Sequence, residues 1–87
     1  MTMLTDSTPE QSRIYWQCRR GMLELDLMLQ PFVENHFTRL TQQQRDALAT
    51  LLTYPDQQLL DYLLGYGVPH DKDVADVAEQ IRNAAGT

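Results

Sequence analysis

The chain has 87 residues, a hydrophobic content of 43% and a formal net charge of −5 at pH 7. This composition is typical of one small globular domain and excludes a disordered chain. The negative charge disfavours nucleic acid as a partner, because phosphates would be repelled. No apolar run reaches the roughly 18 residues that span a bilayer, so we expect no direct membrane insertion.

The chain ends and the single cysteine bear on where the protein works. Cys18 is the only cysteine, which excludes an internal disulfide and fits a reducing compartment. The N-terminal residues carry acids before the first arginine and have neither a signal-peptide core nor an Arg-rich transit pattern. We therefore expect a cytoplasmic protein, with one domain over residues 1–87 and flexible ends at 1–7 and 84–87.

Two helices are predicted in the first half of the chain. Thr8 is a candidate N-cap for a helix from Pro9 to about Arg20, and Gly21 is its expected stop or bend. A second helix is expected from Met22 to Phe37. Pro31 should kink or divide it, because proline removes a backbone donor from the helix interior.

Three further helices are predicted in the second half. A capping box opens the third helix, residues 41 to 52, and the fourth covers residues 55 to 65. Asp71 or Asp73 should cap the fifth helix, which runs to about Asn83.

The fold class follows from the apolar periodicity. No segment alternates apolar and polar residues as a strand would. Residues of the fifth helix repeat instead at helical spacing, namely Val74, Val77, Ala78, Ile81, Ala84 and Ala85. With short connections between helices, the sequence predicts an all-α protein: a compact antiparallel bundle of about five short helices.

The first helix carries an aromatic residue away from its apolar face. The core stripe is expected to hold Ile14, Tyr15, Cys18 and Met22. Trp16 lies on the opposite side of the helical wheel, among three arginines: Arg13, Arg19 and Arg20. Two interpretations remain open at this point. Trp16 covers the edge of the bundle with the arginines along its ring, or it belongs to a surface that contacts another protein.

The second helix is apolar on two sides. Its natural core face holds Met22, Leu25, Leu29, Phe32, Val33 and His36. The opposite side gathers further apolar residues around Glu24, namely Leu23, Leu27, Met28 and Pro31. So small a bundle has few elements to bury both sides, which favours an exposed face reserved for a partner. The alternative is that the fifth helix, or the loop before the third, covers it.

Arg20, Gly21 and Glu24 form a compact unit that also has two interpretations. A bare glycine backbone between a cation and an anion suits close approach by another molecule. Equally, Gly21 could cap the first helix while Arg20 and Glu24 form an i,i+4 ion pair worth about 0.3–0.5 kcal/mol. Spacing alone does not decide between them.

The sequence resembles the SdhE/YgfY family, the FAD assembly factors of succinate dehydrogenase. The resemblance centres on an RGxxE motif, matched by Arg20, Gly21 and Glu24. The motif stands within a longer matching segment: Arg13-Ile14-x-Trp16-x-Cys18-Arg19-Arg20-Gly21-Met22-x-Glu24-Leu25-Asp26. The likeness continues through Pro31-Phe32, Leu51-Leu52, Pro55-Asp56 with Leu59, and Gly67-x-Pro69, and so covers about residues 11 to 75.

This resemblance implies a five-helix protein that binds the flavoprotein subunit of succinate dehydrogenase, or of fumarate reductase. It would promote covalent attachment of FAD to a histidine of that client through the RGxxE surface. We expect a monomer when free, with no catalytic residue, no metal site and no tightly bound FAD of its own. The candidate partner-binding residues are Arg20, Gly21, Glu24, Arg13, Trp16, Arg19, Asp26, Leu27 and Met28.

Three other functions remain as alternatives. A regulatory or antitoxin-like interaction protein would use the same helical surface with a different client. An enzyme using Glu24 and Arg20 as an acid–base pair would act without a partner, and the sequence offers no pocket for it. DNA binding through the cluster of arginines conflicts with the acidic remainder of the chain. His36 and His70 lack neighbours at ligand spacing, which disfavours a metal site.

Overall fold

The computed structural model describes residues 9–85. These residues form five α-helices and one short 3₁₀ turn, with no strand among them. The helices are α1 (Pro9–Gln17), α2 (Leu23–His36), α3 (Gln42–Leu51), α4 (Asp56–Leu64) and α5 (Lys72–Ala85), and the 3₁₀ turn Phe37–Arg39 follows α2. The predicted all-α fold class is confirmed.

Local capping explains where three of the helices begin or end. Thr41 Oγ1 accepts a hydrogen bond from the Gln44 amide at 3.1 Å, and Gln44 Oε1 accepts one from the Thr41 amide at 2.9 Å, which completes the predicted capping box. Asp71 Oδ1 accepts hydrogen bonds from the amides of Asp73 and Val74 at the start of α5, so Asp71 is the cap. Gly65 ends α4 at φ 86°, a left-handed conformation that glycine adopts without steric cost.

The first connection differs from its prediction. The first helix was expected to reach Arg20, but α1 ends at Gln17. Arg20 instead turns its side chain back to the Gln17 carbonyl at 2.9 Å and gives its amide to Asp26 Oδ1 at 3.0 Å. Gly21 then reverses the chain at φ 80°. Backbone hydrogen bonds from the amides of Cys18 and Arg19 continue the turn after Gln17, and the bonds of Arg20 follow them.

The second helix is not divided at its proline. Pro31 lies inside the continuous helix α2 and is exposed. Proline leaves the carbonyl four residues earlier, that of Leu27, without its helical donor. Leu27 is itself exposed, and buried carbonyls rather than exposed ones require a protein partner. The predicted division is therefore absent, and a kink at Pro31 stays a prediction.

The core is centred on α5. This helix packs against α2, α3 and α4, while α1 packs against α2. The predicted apolar face of α5 is buried at Val74, Val77, Ala78 and Ile81. The sequence did not predict the burial of Gln11, whose side-chain amide donates to the Val33 carbonyl at 3.2 Å and so joins α1 to α2.

The last helix is longer than the sequence predicts. Helix α5 extends to Ala85, beyond the predicted end at Asn83. The proposed Thr8 cap and the expected flexible segment 1–7 lie outside the described residues, as do Gly86 and Thr87.

Candidate functional site

Trp16 lies on the solvent side of α1. Its side chain is 62% exposed, and the Arg19 guanidinium lies 4.8 Å from the centre of its ring. Tyr15 meets the same ring edge-on, with the ring centres 6.4 Å apart. One interpretation of the sequence was that Trp16 covers the edge of the bundle with arginines along its ring. Arg19 does lie along the ring, but an indole that is mostly exposed covers little of the bundle. The arrangement favours a contact surface, because aromatic and arginine side chains are enriched in protein interfaces.

The outer side of α2 is exposed as well. Leu23 is 68% exposed and Leu27 is 64% exposed, and both Glu24 and Pro31 are exposed beside them. The alternative that another element covers this side is wrong for these four residues, because α5 packs against the opposite, buried side of α2. Met28 differs: it is half-buried and packs against the core, so it borders the surface.

Arg20 points into the protein and does not pair with Glu24. Its Nε donates to Asp56 Oδ1 at 2.9 Å, and one terminal nitrogen donates to the carbonyls of Leu52 and Gln17 at 3.0 and 2.9 Å. The other terminal nitrogen donates to the Tyr54 carbonyl at 3.0 Å. We call these contacts the Arg20 network. They occupy all but one of the N–H donors of a guanidinium group, and the Arg20 side chain is only 16% exposed.

Gly21 follows Arg20 in an open position. Its φ of 80° is one that residues with a side chain rarely adopt, and a Cβ built there would meet no atom within 4 Å. The residue is required for its backbone conformation rather than to make room inside the protein. Bulk added here would project into solvent.

The remaining predicted residues divide between the surface and its support. Arg13 is exposed, and neither Arg13 nor Arg19 forms an ion pair within residues 9–85. Glu24 likewise has no ion-pair partner in that part of the chain. Asp26 is half-buried and accepts the Arg20 amide, so it supports the turn.

We call the exposed group the α1–α2 face; its members are Arg13, Trp16, Arg19, Gly21, Leu23, Glu24 and Leu27. Two residues that matter here were absent from the predicted set. Leu23 was recognised on the apolar side of its helix, and its exposure makes it a member of the face. Asp56 could not have been selected, because no sequence spacing indicates a contact 36 residues away from Arg20.

Reactive chemistry is scarce elsewhere in the described residues. Burial raises the pKa of the Cys18 thiol to about 12, which keeps it protonated and unreactive at neutral pH. Between residues 9 and 85, no group of three His, Cys, Asp or Glu side chains could hold a metal ion. A groove of about 390 Å³ lies along α5 and the loop before it, lined in part by Tyr62, Val68 and Glu79. None of the α1–α2 face lines it.

None of the helices described is at once long and apolar enough to cross a membrane.

The sequence is similar to proteins of known name over most of its length. The family model described as "Flavinator of succinate dehydrogenase" matches residues 12–85. The FAD assembly factor SdhE of Legionella pneumophila is 47% identical over 74 residues, which cover 85% of this chain and 92% of that protein. The proteins of the same name from Haemophilus influenzae and Coxiella burnetii are 41% and 40% identical, over 82% and 80% of this chain and 84% and 85% of their own lengths.

Proposed function

The chain belongs to the family of succinate dehydrogenase flavinators, and we propose that it is an FAD assembly factor. It binds the flavoprotein subunit of succinate dehydrogenase and promotes covalent attachment of FAD to that subunit. The flavoprotein of fumarate reductase is a second client that the resemblance implies. No feature of residues 9–85 favours the antitoxin-like alternative.

The α1–α2 face is the observation that carries this proposal. It combines a mostly exposed tryptophan with two exposed leucines, Leu23 and Leu27, although exposing large apolar side chains is unfavourable without a partner. Glu24 stands among them as an exposed carboxylate with no ion-pair partner within the described chain. Tryptophan and arginine are enriched among interface hot spots, and the exposed leucines add apolar area that a partner could bury.

The mechanism that fits such a face is selection of a client conformation. The flavin supplies the reactive chemistry of attachment, and the client supplies the histidine. The assembly factor need only bind more tightly to the client state in which these groups are aligned. Alignment of two reacting groups can lower the activation free energy of their reaction by several kcal/mol, and by about 7–11 kcal/mol in favourable cases.

The same reasoning assigns no chemical step to the factor itself. Glu24 and Arg20 are not an acid–base pair in this fold, because the guanidinium lies in the Arg20 network and points away from the carboxylate. We propose that the protein is not an enzyme, holds no FAD or metal of its own, and acts as a monomer in the cytoplasm.

A deletion strain tests the proposal. Covalent flavin on the succinate dehydrogenase subunit is measured by in-gel fluorescence after denaturation, with wild-type or Glu24→Gln protein supplied from a plasmid. Glu79→Gln is the matched control, an exposed acid on α5 outside the α1–α2 face. We expect wild type and Glu79→Gln to restore flavinylation and Glu24→Gln to fail. Normal flavinylation in the strain that lacks the protein would refute the function.

A further inference from the structure

The Arg20 network joins two segments of the chain, residues 17–20 and residues 52–56. The guanidinium reaches the last residue of α1 through the Gln17 carbonyl, and the α3–α4 connection through the carbonyls of Leu52 and Tyr54. It reaches the first residue of α4 through Asp56. No backbone hydrogen bond recorded between residues 9 and 85 links the α1–α2 turn to the α3–α4 connection. The network is therefore the polar link between these two segments.

The α1–α2 turn is held by packing on either side and by this polar link between them. Cys18 is fully buried and Met22 packs against the core, whereas a Cβ built at Gly21 would meet no atom within 4 Å. Asp26 fixes the Arg20 amide at 3.0 Å, and the network fixes the other end of the same residue. Gly21 and the start of α2 follow directly, and Glu24 is one turn into that helix.

Within residues 9–85, Asp56 is the only charged acceptor in the network, and the other three acceptors are backbone carbonyls. All four bonds have a charged donor, but only the bond to Asp56 is also an ion pair. Asp56 also begins α4, where the helix dipole favours a carboxylate independently of Arg20, although the Asp56 side chain is 41% exposed. An anion at a helix start is suited to hold a flexible arginine in one conformation.

We propose that Asp56 is a positioning residue for client binding: it holds Arg20 in the network and thereby fixes the turn that presents Gly21 and Glu24. This inference rests on the proposed function and changes the role of the motif arginine. Arg20 fixes the turn through its hydrogen bonds inside the protein, and the exposed residues of the α1–α2 face contact the client.

A double-mutant cycle tests the proposal. The affinity for the FAD-free flavoprotein subunit is measured for wild type, Asp56→Ala, Arg20→Ala and the double variant. Because Asp56 acts through Arg20, each single change should weaken binding about tenfold, and the double variant should bind no more weakly than Arg20→Ala. Asp61→Ala is the matched control: it removes an acid from the same helix whose carboxylate accepts from Gln57 instead. It should bind as wild type does.

A spectroscopic readout distinguishes positioning from loss of the fold. In NMR spectra the Arg20 Nε–H should exchange slowly with water in wild type and rapidly in Asp56→Ala. The chemical shift of the Gly21 amide should change in that variant, while the chemical shifts of the α5 amides stay the same. If Arg20→Ala does not fold, Arg20→Lys replaces it in the cycle, since an ammonium group cannot serve all four acceptors.

Two results would overturn the proposal while leaving the proposed function intact. Asp56→Ala could bind the client as tightly as wild type although the Arg20 Nε–H has lost its protection. It could also weaken binding equally with and without Arg20, which would make Asp56 itself a contact residue. A wild-type protein that does not bind the flavoprotein would instead refute the proposed function.

Discussion

Arg20, Gly21 and Glu24 lie within one short segment, yet each has a different physical role. The Arg20 side chain is mostly buried and hydrogen-bonded to the α3–α4 connection. Gly21 supplies a left-handed backbone conformation. Glu24 is exposed on α2, where a carboxylate can meet a donor of another protein. Substitutions at these positions should therefore fail for different reasons.

The two roles of Gly21 can be separated by substitution. Gly21→Ala should cost about 1–2 kcal/mol of stability, because a Cβ is disfavoured at φ 80°. Gly21→Asn should cost less, since asparagine tolerates this conformation. Gly21→Arg should unfold at about the same temperature as Gly21→Ala but should not bind the client. Thermal melts and client affinities measure these effects.

Gly65→Ala is the matched control for Gly21→Ala. Gly65 has a similar φ of 86° but lies at the end of α4, outside the α1–α2 face. It should lose stability and keep client affinity. A folded Gly21→Arg protein with wild-type affinity would remove Gly21 from the docking surface.

The buried thiol of Cys18 should make the protein less stable at alkaline pH. Burial raises its pKa from 9.0 to about 12, so the unfolded chain releases the thiol proton at a lower pH than the folded protein does. The protonated, buried thiol makes its full contribution to the free energy of unfolding below pH 9. This contribution is lost as the pH rises towards 12, and the loss is about 2 kcal/mol at pH 10.5. Urea melts at pH 7.5 and 10.5 should show a smaller loss in Cys18→Ala. Burial also raises the pKa of Tyr15, which is retained in both proteins, so its contribution is common to them. An equal loss in both proteins would contradict the assignment to Cys18.

At the scale of the elements, α2 serves both the core and the α1–α2 face. Leu25, Leu29 and Val33 are fully buried, and α5 is one of the helices that pack against α2. Leu23 and Leu27 are four residues apart and point away from this contact, since both are mostly exposed. The start of α2 carries this exposed pair next to the turn that the Arg20 network fixes. Under the proposed function, stability and docking depend on opposite sides of one helix.

Polar substitution of the outer leucines should separate these two functions. Leu23→Gln with Leu27→Gln should leave the unfolding free energy nearly unchanged, because both sites are exposed and glutamine has a helix propensity close to that of leucine. Association with the flavoprotein should weaken at least tenfold, measured by calorimetry. Leu64→Gln, at an exposed leucine of α4, is the matched control and should bind normally. If the double variant is unfolded at a temperature where the wild-type protein is folded, these leucines belong to the core.

At the scale of the whole molecule, the parts of the fold that depend on local interactions could be predicted from sequence. The Thr41 capping box, the Asp71 cap and the apolar face of α5 each involve residues a few positions apart. The end of α1 was placed too late by the sequence, and just beyond it Arg20 contacts Asp56 across 36 residues, which no local pattern indicates. The candidate face was predicted from the wheel positions of Trp16 and the outer residues of α2. The inward direction of Arg20 was missed for the same long-range reason.

The small core leaves little reserve of stability. Ile81 is fully buried at the centre of the packing of α5, so Ile81→Ala should cost about 2–5 kcal/mol. For a domain with a total stability of about 5–10 kcal/mol, that is a large fraction. Far-UV circular dichroism during urea unfolding should show a helical protein with a sharply reduced midpoint. An unchanged midpoint would contradict the central place of α5.

Reconstitution from purified components tests the central claim most directly. FAD-free flavoprotein subunit is incubated with FAD, with or without an equimolar amount of this protein, and covalent flavin is measured by fluorescence after denaturation. We expect covalent flavin to form faster with the wild-type protein. A folded Glu24→Gln variant should give the rate seen without any factor. Equal rates with and without the wild-type protein would contradict the account, because the factor would then not promote attachment at all.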